Sequence, residues 1–517
     1  MMSISLTSWL MACSPILTVL VLMIGFGWGG ARAGAAGWFT AILTAMFFFG
    51  ATPRLLAYAQ MKGVLLSINV LYIIWAALVL YHVVNETGAI RAIGIGIQRF
   101  SSDKVIQLLL FGWVFASFLQ GVAGYGVPIA VAAPLLVGMG FSPAVAEAVP
   151  AIAHSWSVTF GSMGASFQAL IAVTGLDWHF LAPLCAGFLG LACYLCGLAA
   201  IHAYGGWRSL YHGIWAIFIV GTAMAGTQYI LAASGMWTLG GFGASLVGLA
   251  AGLLAARLPR YRCNHSPVVD NPGMSLALAL SGYLILIVVV SCGVIIEPLR
   301  LFLSQVKLSL FFPALVTAKG WAVDAGYGKK ISIFGHGGAL LLYATVLSYC
   351  LYNRKGLYKP GAGRAIIAKT VKSGVPTSLG IVSMVCFALV MDQCGMINVL
   401  AEGISRFFGK TYPFIASWIG LLGAFMTGSN TNSNVVFGVL QQHTAELSGI
   451  SVAVILAAQT TGGALGSMIA PAKILVGCST VGLAGKEAPV LRLTIPYGIV
   501  ITAIVGLATT LAVFSGH

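Results

Sequence analysis

Residues 427–434 read Thr427-Gly-Ser-Asn-Thr-Asn-Ser-Asn434, a polar stretch between the apolar runs 412–427 and 435–440. Every residue in it except Gly428 carries a hydroxyl or an amide. An earlier stretch, Gln120-Gly-Val-Ala-Gly-Tyr-Gly-Val-Pro128, interrupts apolar sequence in the same way, with glycines and a proline. Unwound backbone at membrane depth is tolerated only where protein buries it or where it lines a watery cavity. Close packing of helices through glycine is the plainer use of such residues, but it has no need of so many amides and hydroxyls.

The surrounding chain is a membrane protein by composition. Of 517 residues, 59% are hydrophobic and 7% charged, and mean hydropathy is +0.98. Soluble domains carry about 25% charged residues, so a soluble enzyme, a disordered chain and a nucleic-acid binder are excluded. Apolar stretches recur from 9–29 to 493–514. A span needs about 20 residues, and several stretches, notably 129–139 and 435–440, fall short of that, while 307–318 is counted among the apolar runs. The expected fold is an all-α polytopic membrane protein, a single domain over 1–517 with 12 to 14 transmembrane helices plus interrupted segments. The first run has no basic region before it and leads straight into further spans, so it reads as a helix rather than a cleaved signal.

The net charge of +15 resides largely in loops. Arg257, Arg260 and Arg262 mark one loop, and Arg354, Lys355, Lys359, Arg364, Lys369 and Lys372 another. Both read as cytoplasmic, although basic residues on both sides of 64–84 leave that span unoriented. Cys193-Tyr-Leu-Cys196 sits inside a span, where small packing residues are the simpler reading than redox chemistry. No nucleotide-binding or metalloprotease motif occurs, so no cofactor and no metal site is expected.

The two halves echo each other. Phe118-Leu-Gln-Gly121 matches Phe425-Met-Thr-Gly428 at an offset of 307, and Gly161-Ser-Met163 matches Gly466-Ser-Met468 at 305. Gly140-Phe-Ser142 parallels Gly449-Ile-Ser451 between them. Two repeats follow, with cores near 105–175 and 412–480 and each containing re-entrant or broken helices. Paired interruptions in corresponding positions point to a secondary transporter's site.

Half-helix N-termini offer donors and partial positive charge to a small anion. The candidate substrate residues are Gln120, Gly121, Gly124, Tyr125, Gly126, His154 and Ser155 in the first half. In the second they are Thr427, Gly428, Ser429, Asn430, Thr431, Asn432, Ser433, Asn434, Gln459, Thr460 and Lys473. His154 reads as a substrate ligand, a proton relay or a hydrogen-bonded interior histidine. Lys473 either pairs with a carboxylate or snorkels. Glu147, the acid of the 143–173 segment, is the preferred proton carrier, against a surface position just after Pro143. Coupling-ion candidates are thus His154, Glu147 and Asn430. Asp392 shares the ambiguity, while Lys486, Glu487 and Arg492 read as an interfacial cluster.

At these residues the chain resembles the L-lactate permease family of bacterial transporters. The resemblance rests on Ser117–Pro128, Ala133-Pro-Leu-Leu-Val-Gly-Met-Gly-Phe141, Phe160-Gly161, Thr427–Asn434, Thr460-Thr-Gly-Gly463, Met468-Ile-Ala-Pro471 and Val481-Gly-Leu-Ala-Gly-Lys-Glu487. It implies uptake of lactate or glycolate by proton symport across the cell inner membrane, with inverted repeats. The family usually has Glu at Gln120, Asp at Asn430, Asn at His154, Lys at Ser467 and Gln at Lys473. Two titratable acids are therefore replaced by amides, which puts proton coupling and lactate itself in question. The expected partners are a small organic anion, a coupling cation (H+ or Na+) and membrane lipid, with a homodimer allowed and no nucleic acid. Rival readings are sodium-coupled transport of a sulfonate or dicarboxylate, and a passive anion channel. An enzyme is disfavoured, because no paired-carboxylate, metal or nucleophile–base constellation occurs.

Overall fold

The computed structural model describes residues 5–515 apart from 27, 99–100, 123, 125, 262–272 and 484–486. Of the candidates, Tyr125 lies outside the described residues, as do the loop residues Arg99, Arg262, Cys263 and Lys486.

The helices fall into two series. The first runs α1 (Leu6–Ile24), α2 (Gly30–Phe48), α3 (Pro53–Asn85), α4 (Ala89–Gln98) and α5 (Lys104–Leu108). A π-turn (Leu109–Phe115) carries α5 into α6 (Ala116–Val122), followed by α7 (Val127–Gly138), α8 (Pro143–Ala153), α9 (Ala165–Thr174) and α10 (Trp178–Ala233). α10 bends midway, because Gly205 (φ −148°) and Gly206 (φ 61°, ψ −156°) leave helical geometry. Its second part and α11 (Gly240–Ala255) join the halves. The second series is α12 (Leu276–Ile295), α13 (Glu297–Leu303), α14 (Gly337–Arg354), α15 (Ala362–Gln393), α16 (Met396–Phe408) and α17 (Tyr412–Thr427). It ends with α18 (Asn430–Leu447), α19 (Val452–Gly466), α20 (Pro471–Thr480) and α21 (Ala488–Phe514).

Among the described residues, eight helical stretches are long and apolar enough to cross a membrane, the bent α10 counting as one. Shorter pieces such as α1, α14 and the consecutive pairs α8–α9 and α19–α20 make up the rest of the bundle.

One apolar stretch is not a span. Residues 307–318 form one arm of a β-hairpin: β1 (Lys307–Leu308), β2 (Phe311–Phe312) and β3 (Leu315–Val316) pair with the returning arm. That arm carries β4 (Ala322–Val323), β5 (Gly326–Tyr327) and β6 (Ile331–Ser332), in the order β3–β4, β2–β5, β1–β6. Aromatic and branched residues broken by Pro313 suit short strands better than a helix, and Gly320 (φ 83°) makes the turn. The ribbon lies against α3: Phe312 packs edge-on to Tyr58, and the Ala318 N–H donates to Gly50 O at 2.8 Å.

The two series repeat one order of elements, and each half is seated in the other. α2 packs on α15 and α14 on α3; α1 packs on α16 and α12 on α4. α9 packs on α18 and α20 on α7, and α10 lies on α19 as α21 lies on α8. The 33-residue α3 and 32-residue α15 run side by side and are clasped at both ends. Lys369 of α15 pairs with Glu86 just past α3, and Lys62 of α3 donates to Gln393 Oε1 at 2.7 Å. Lys62 and Lys369 stand 307 apart, as do Glu86 and Gln393, the same offset as the Phe118 and Phe425 motifs.

The broken hairpins enter from opposite faces. The α5–α7 hairpin closes where Lys104 donates to Met139 O, beside Asp103, His212 and Tyr261 at the end of the loop bearing Arg257 and Arg260. The α17–α18 hairpin closes where Ser405 meets Ser448 at 2.8 Å, near Asp392 at the other end of α15. The halves are inverted.

Candidate functional site

α6, α8 and α17 end inside the bundle and α7, α9 and α18 begin there, and each break has a local cause. Gly124 (φ 62°) and Gly126 (φ 87°) separate α6 from α7 in left-handed geometry that favours glycine. A Cβ at Gly124 would also stand 2.1 Å from Ser162 Oγ. Ser162 (φ 48°), Met163 (φ 54°) and Gly164 (φ 75°) then make three successive left-handed residues before α9. Two of these are not glycine, a strained arrangement that costs about 1–3 kcal/mol per residue and is held by its surroundings. Gln120 reaches this place, its Nε2 lying 2.9 Å from where a Gly161 Cβ would be. Gly121 does not join it, because it packs on the backbone of Phe242 in α11.

In the second half Gly428 (φ 67°) ends α17, and Ser429 caps α18 by accepting the Asn432 N–H at 3.3 Å. The polar motif then folds inward rather than facing lipid: Asn430, Thr431, Asn432, Ser433 and Asn434 are all buried. Asn430 Nδ2 donates to Thr159 Oγ1 at 3.1 Å, and Asn434 Nδ2 to Thr460 Oγ1 at 2.9 Å and Ser166 O at 3.0 Å. Thr159 and Thr460 share a hydroxyl contact of 3.1 Å. Ser166 Oγ and Thr431 Oγ1 meet at 2.9 Å, which brings the N-terminal turns of α9 and α18 together. The chain of amides continues away from the break: Gln459 Nε2 donates to Ser433 Oγ (3.1 Å), Gln441 Nε2 to Gln459 Oε1 (2.8 Å), and Tyr412 to Gln441.

Packing around this network is tight. A Cβ at Gly420 would stand 2.0 Å from Gln459 O, and one at Gly462 1.8 Å from Ser417 O, so α17 and α19 touch backbone to backbone. The side-chain oxygens of Asn430, Asn432 and Asn434 are buried without a hydrogen-bond partner. The Asn430 oxygen lies against α19, 2.1 Å from where a Gly463 Cβ would be.

The titratable candidates lie elsewhere, on the seam of α8 with α20. Glu147 is fully buried, and neither carboxyl oxygen has a hydrogen-bond partner. It abuts Gly477, where a Cβ would lie 2.7 Å from its Oε1. His154, two turns further on and hence on the same face of α8, donates from Nδ1 to Pro150 O (2.6 Å), while its Nε2 is unpartnered. Lys473 is 7% exposed, so its side chain stays within the bundle. Neither Glu147 nor Lys473 forms an ion pair among the described residues. Ser155 turns back to Ile152 O at 2.7 Å and touches Cys196.

Sequence reasoning passed over Thr159, Ser166, Gln441 and Tyr412. The first two flank Gly161-Ser-Met-Gly164, so that repeated motif was the available signal. Gln441 and Tyr412 follow a helical spacing that becomes visible only when α17, α18 and α19 are packed together.

The sequence profile of the L-lactate permease family matches residues 8–515. An L-lactate permease of Escherichia coli K12 is 29% identical over 86% of this chain and 84% of its own. The glycolate permease GlcA of the same organism is 28% identical over 98% and 96%. An L-lactate permease of Bacillus subtilis 168 is 28% identical over 97% and 98%. Among solved structures, the YdaH transporter of Alcanivorax borkumensis aligns over 87% of this chain and 86% of its own, with TM-score 0.48 and 15% identity. With its apolar helices and a profile match from end to end, the chain is a multi-pass membrane protein and belongs to the L-lactate permease family.

Proposed function

We propose that the chain is a secondary active transporter that carries a small 2-hydroxy monocarboxylate, lactate or glycolate, together with a proton. One observation carries this reading: the N-terminal turns of α9 and α18 meet at Ser166 and Thr431 among buried amides and hydroxyls. Two helix N-termini aimed at one place supply donors and partial positive charge to a carboxylate, and the neighbouring amides suit a hydroxyl. The relatives named as lactate and glycolate permeases support the same substrate class. Both basic loops lie at one end of the bundle, which is the cytoplasmic end by the positive-inside rule.

Proteoliposomes of the purified chain test the proposal. Labelled lactate or glycolate is expected to enter faster when unlabelled acid waits inside; uptake no faster than in empty vesicles removes both substrates. Large unitary currents without such acceleration would make the protein a channel.

A second reading has its own observation. The unpartnered oxygens of Asn430, Asn432 and Asn434 suit a cation, and with Asn at 430 that cation would be sodium. Uptake driven by a sodium gradient and indifferent to a protonophore would favour it.

A further inference from the structure

The dyad that relates the halves sets the contact of α9 with α18 against the contact of α20 with α7, beside which α8 carries Glu147. A Cβ at Gly477 of α20 would stand 2.7 Å from Glu147 Oε1, 2.8 Å from its Cγ and 2.4 Å from Ile129 Cγ2 of α7. α7 and α20 therefore close over the carboxyl together, and this approach uses the missing side chain at 477. The surrounding walls are apolar: Ala133, Ala148, Ala151, Ile474 and Val490 are buried in one cluster with Ile129. The carboxyl itself is fully buried, and neither oxygen has a hydrogen-bond partner.

Of the elements packed against α8, α6, α7 and the π-turn carry no titratable side chain. α20 buries Lys473 and Cys478, and α21 starts beyond Glu487 with Arg492 exposed. α10 buries Cys193 and Cys196, sets Tyr204 edge-on to Phe141 and holds His202 to Tyr497 of α21 at 2.8 Å. Neither Lys473 nor Arg492 forms an ion pair with Glu147 among the described residues. Asp392 differs, because Gln393 Nε2 donates to it at 2.8 Å and His443 stands 3.9 Å away.

We propose that Glu147 is the site of the coupling proton. An ionised carboxylate sealed among apolar side chains without a donor is costly, whereas the neutral acid is tolerated, so the closed pocket holds a proton. α7 and α8 belong to the first half and α20 to the second, so movement between the halves opens this contact. Water then reaches the carboxyl, and a hydrated carboxylic acid gives its proton to water at neutral pH. The same chain segment leads to the substrate site: beyond the break after α8 come Thr159 and Ser166, which bond to Asn430, Asn434 and Thr431. An anion bound there and an ionised Glu147 would be like charges in one low-dielectric bundle, so the anion is carried with the neutral acid. One anion and one H+ cross together, and the cycle moves no net charge. This puts the proton outside the amide network, which cannot titrate. It deepens the transporter reading above and rests on it.

The test uses the full chain in proteoliposomes with labelled lactate and glycolate. The parent is expected to accumulate substrate under an imposed proton gradient. Glu147→Gln, which imitates the neutral acid, is expected to keep exchange within about three-fold of the parent and to lose accumulation by roughly ten-fold or more. Glu147→Asp, which keeps a titratable group, is expected to retain accumulation. Glu147→Gln that still accumulates substrate overturns the assignment. So does loss of exchange in both variants when they elute as folded protein, because Glu147 would then serve binding or packing. Accumulation by the parent under a sodium gradient but not under a proton gradient overturns it as well. A parent protein that exchanges neither acid fails earlier, at the transport reading itself.

Discussion

At the α18 seam, Asn430, Asn434, Thr460, Thr159 and Ser166 donate to one another, and Gly420 and Gly462 bring two backbones into contact. At the dyad-related α7 seam, the helix reads VPIAVAAPLLVG and has no polar side chain along its length. The polar groups there are Glu147, His154 and Lys473; both Glu147 carboxyl oxygens and His154 Nε2 are buried without a hydrogen-bond partner, while His154 Nδ1 donates to Pro150 O. One backbone plan thus serves two purposes. Hydrogen bonds worth about 1 kcal/mol each net fix the first seam in a single arrangement. Apolar contacts hold the second, with few hydrogen bonds to fix it.

The largest effect that would break this contrast comes from glycine. Gly462→Ala places a methyl 1.8 Å from Ser417 O, and a loss of about 3 kcal/mol is expected from such overpacking. The control is Gly138→Ala at the end of α7, where a Cβ meets nothing within 4 Å and stability should hold or rise. Thermal unfolding in detergent reads both, and equal losses would mean that the seams are equally tight. Next, Asn434→Ala leaves Ser166 O and the Thr460 hydroxyl short of a donor. A cost of about 2 kcal/mol is expected, with weaker binding seen in counterflow; an unchanged Km would detach the network from the substrate.

Two smaller changes sharpen the picture. Ser162→Gly relieves one left-handed residue at the first-half break and is expected to add about 1 kcal/mol of stability. A loss instead would show that the Ser162 side chain contributes more than its backbone strain costs. Lys369→Ala opens the half-exposed clasp to Glu86, and exposed pairs contribute under about 1 kcal/mol. A melting shift indistinguishable from the parent is expected, fading further in high salt; a large shift would make the clasp a structural joint.

The legible part of this protein was the part written in local residues. The two glycine- and amide-rich interruptions stood out against apolar sequence, and the helices do break at Gly124, Gly126 and Gly428. The amide and hydroxyl motif identified a buried polar cluster, because such groups in a bilayer must find partners within the protein. What it could not reveal was which partners. Thr159 and Ser166 come from 265 or more residues away, and their place on α18 is decided by how the halves seat in each other. The ribbon at 307–332 was missed for a related reason. Leu308 to Val316 is as apolar as a span, and only its pairing with the returning arm marks it as strand. Lys473 and Glu147 were visible as charges in apolar sequence, but their common seam was not.

The reciprocal seating of α9 on α18 and α20 on α7 sets a timetable for biosynthesis. When α9 has been made, the helix it is to sit on lies more than 250 residues ahead, and α7 waits longer still for α20. At about 5–20 residues per second, that interval is on the order of tens of seconds. During it, Thr159 and Ser166 have none of their second-half partners and must be sheltered by the insertion machinery or by water. The first half is therefore an unfinished surface when it enters the bilayer, and the second half arrives as its template.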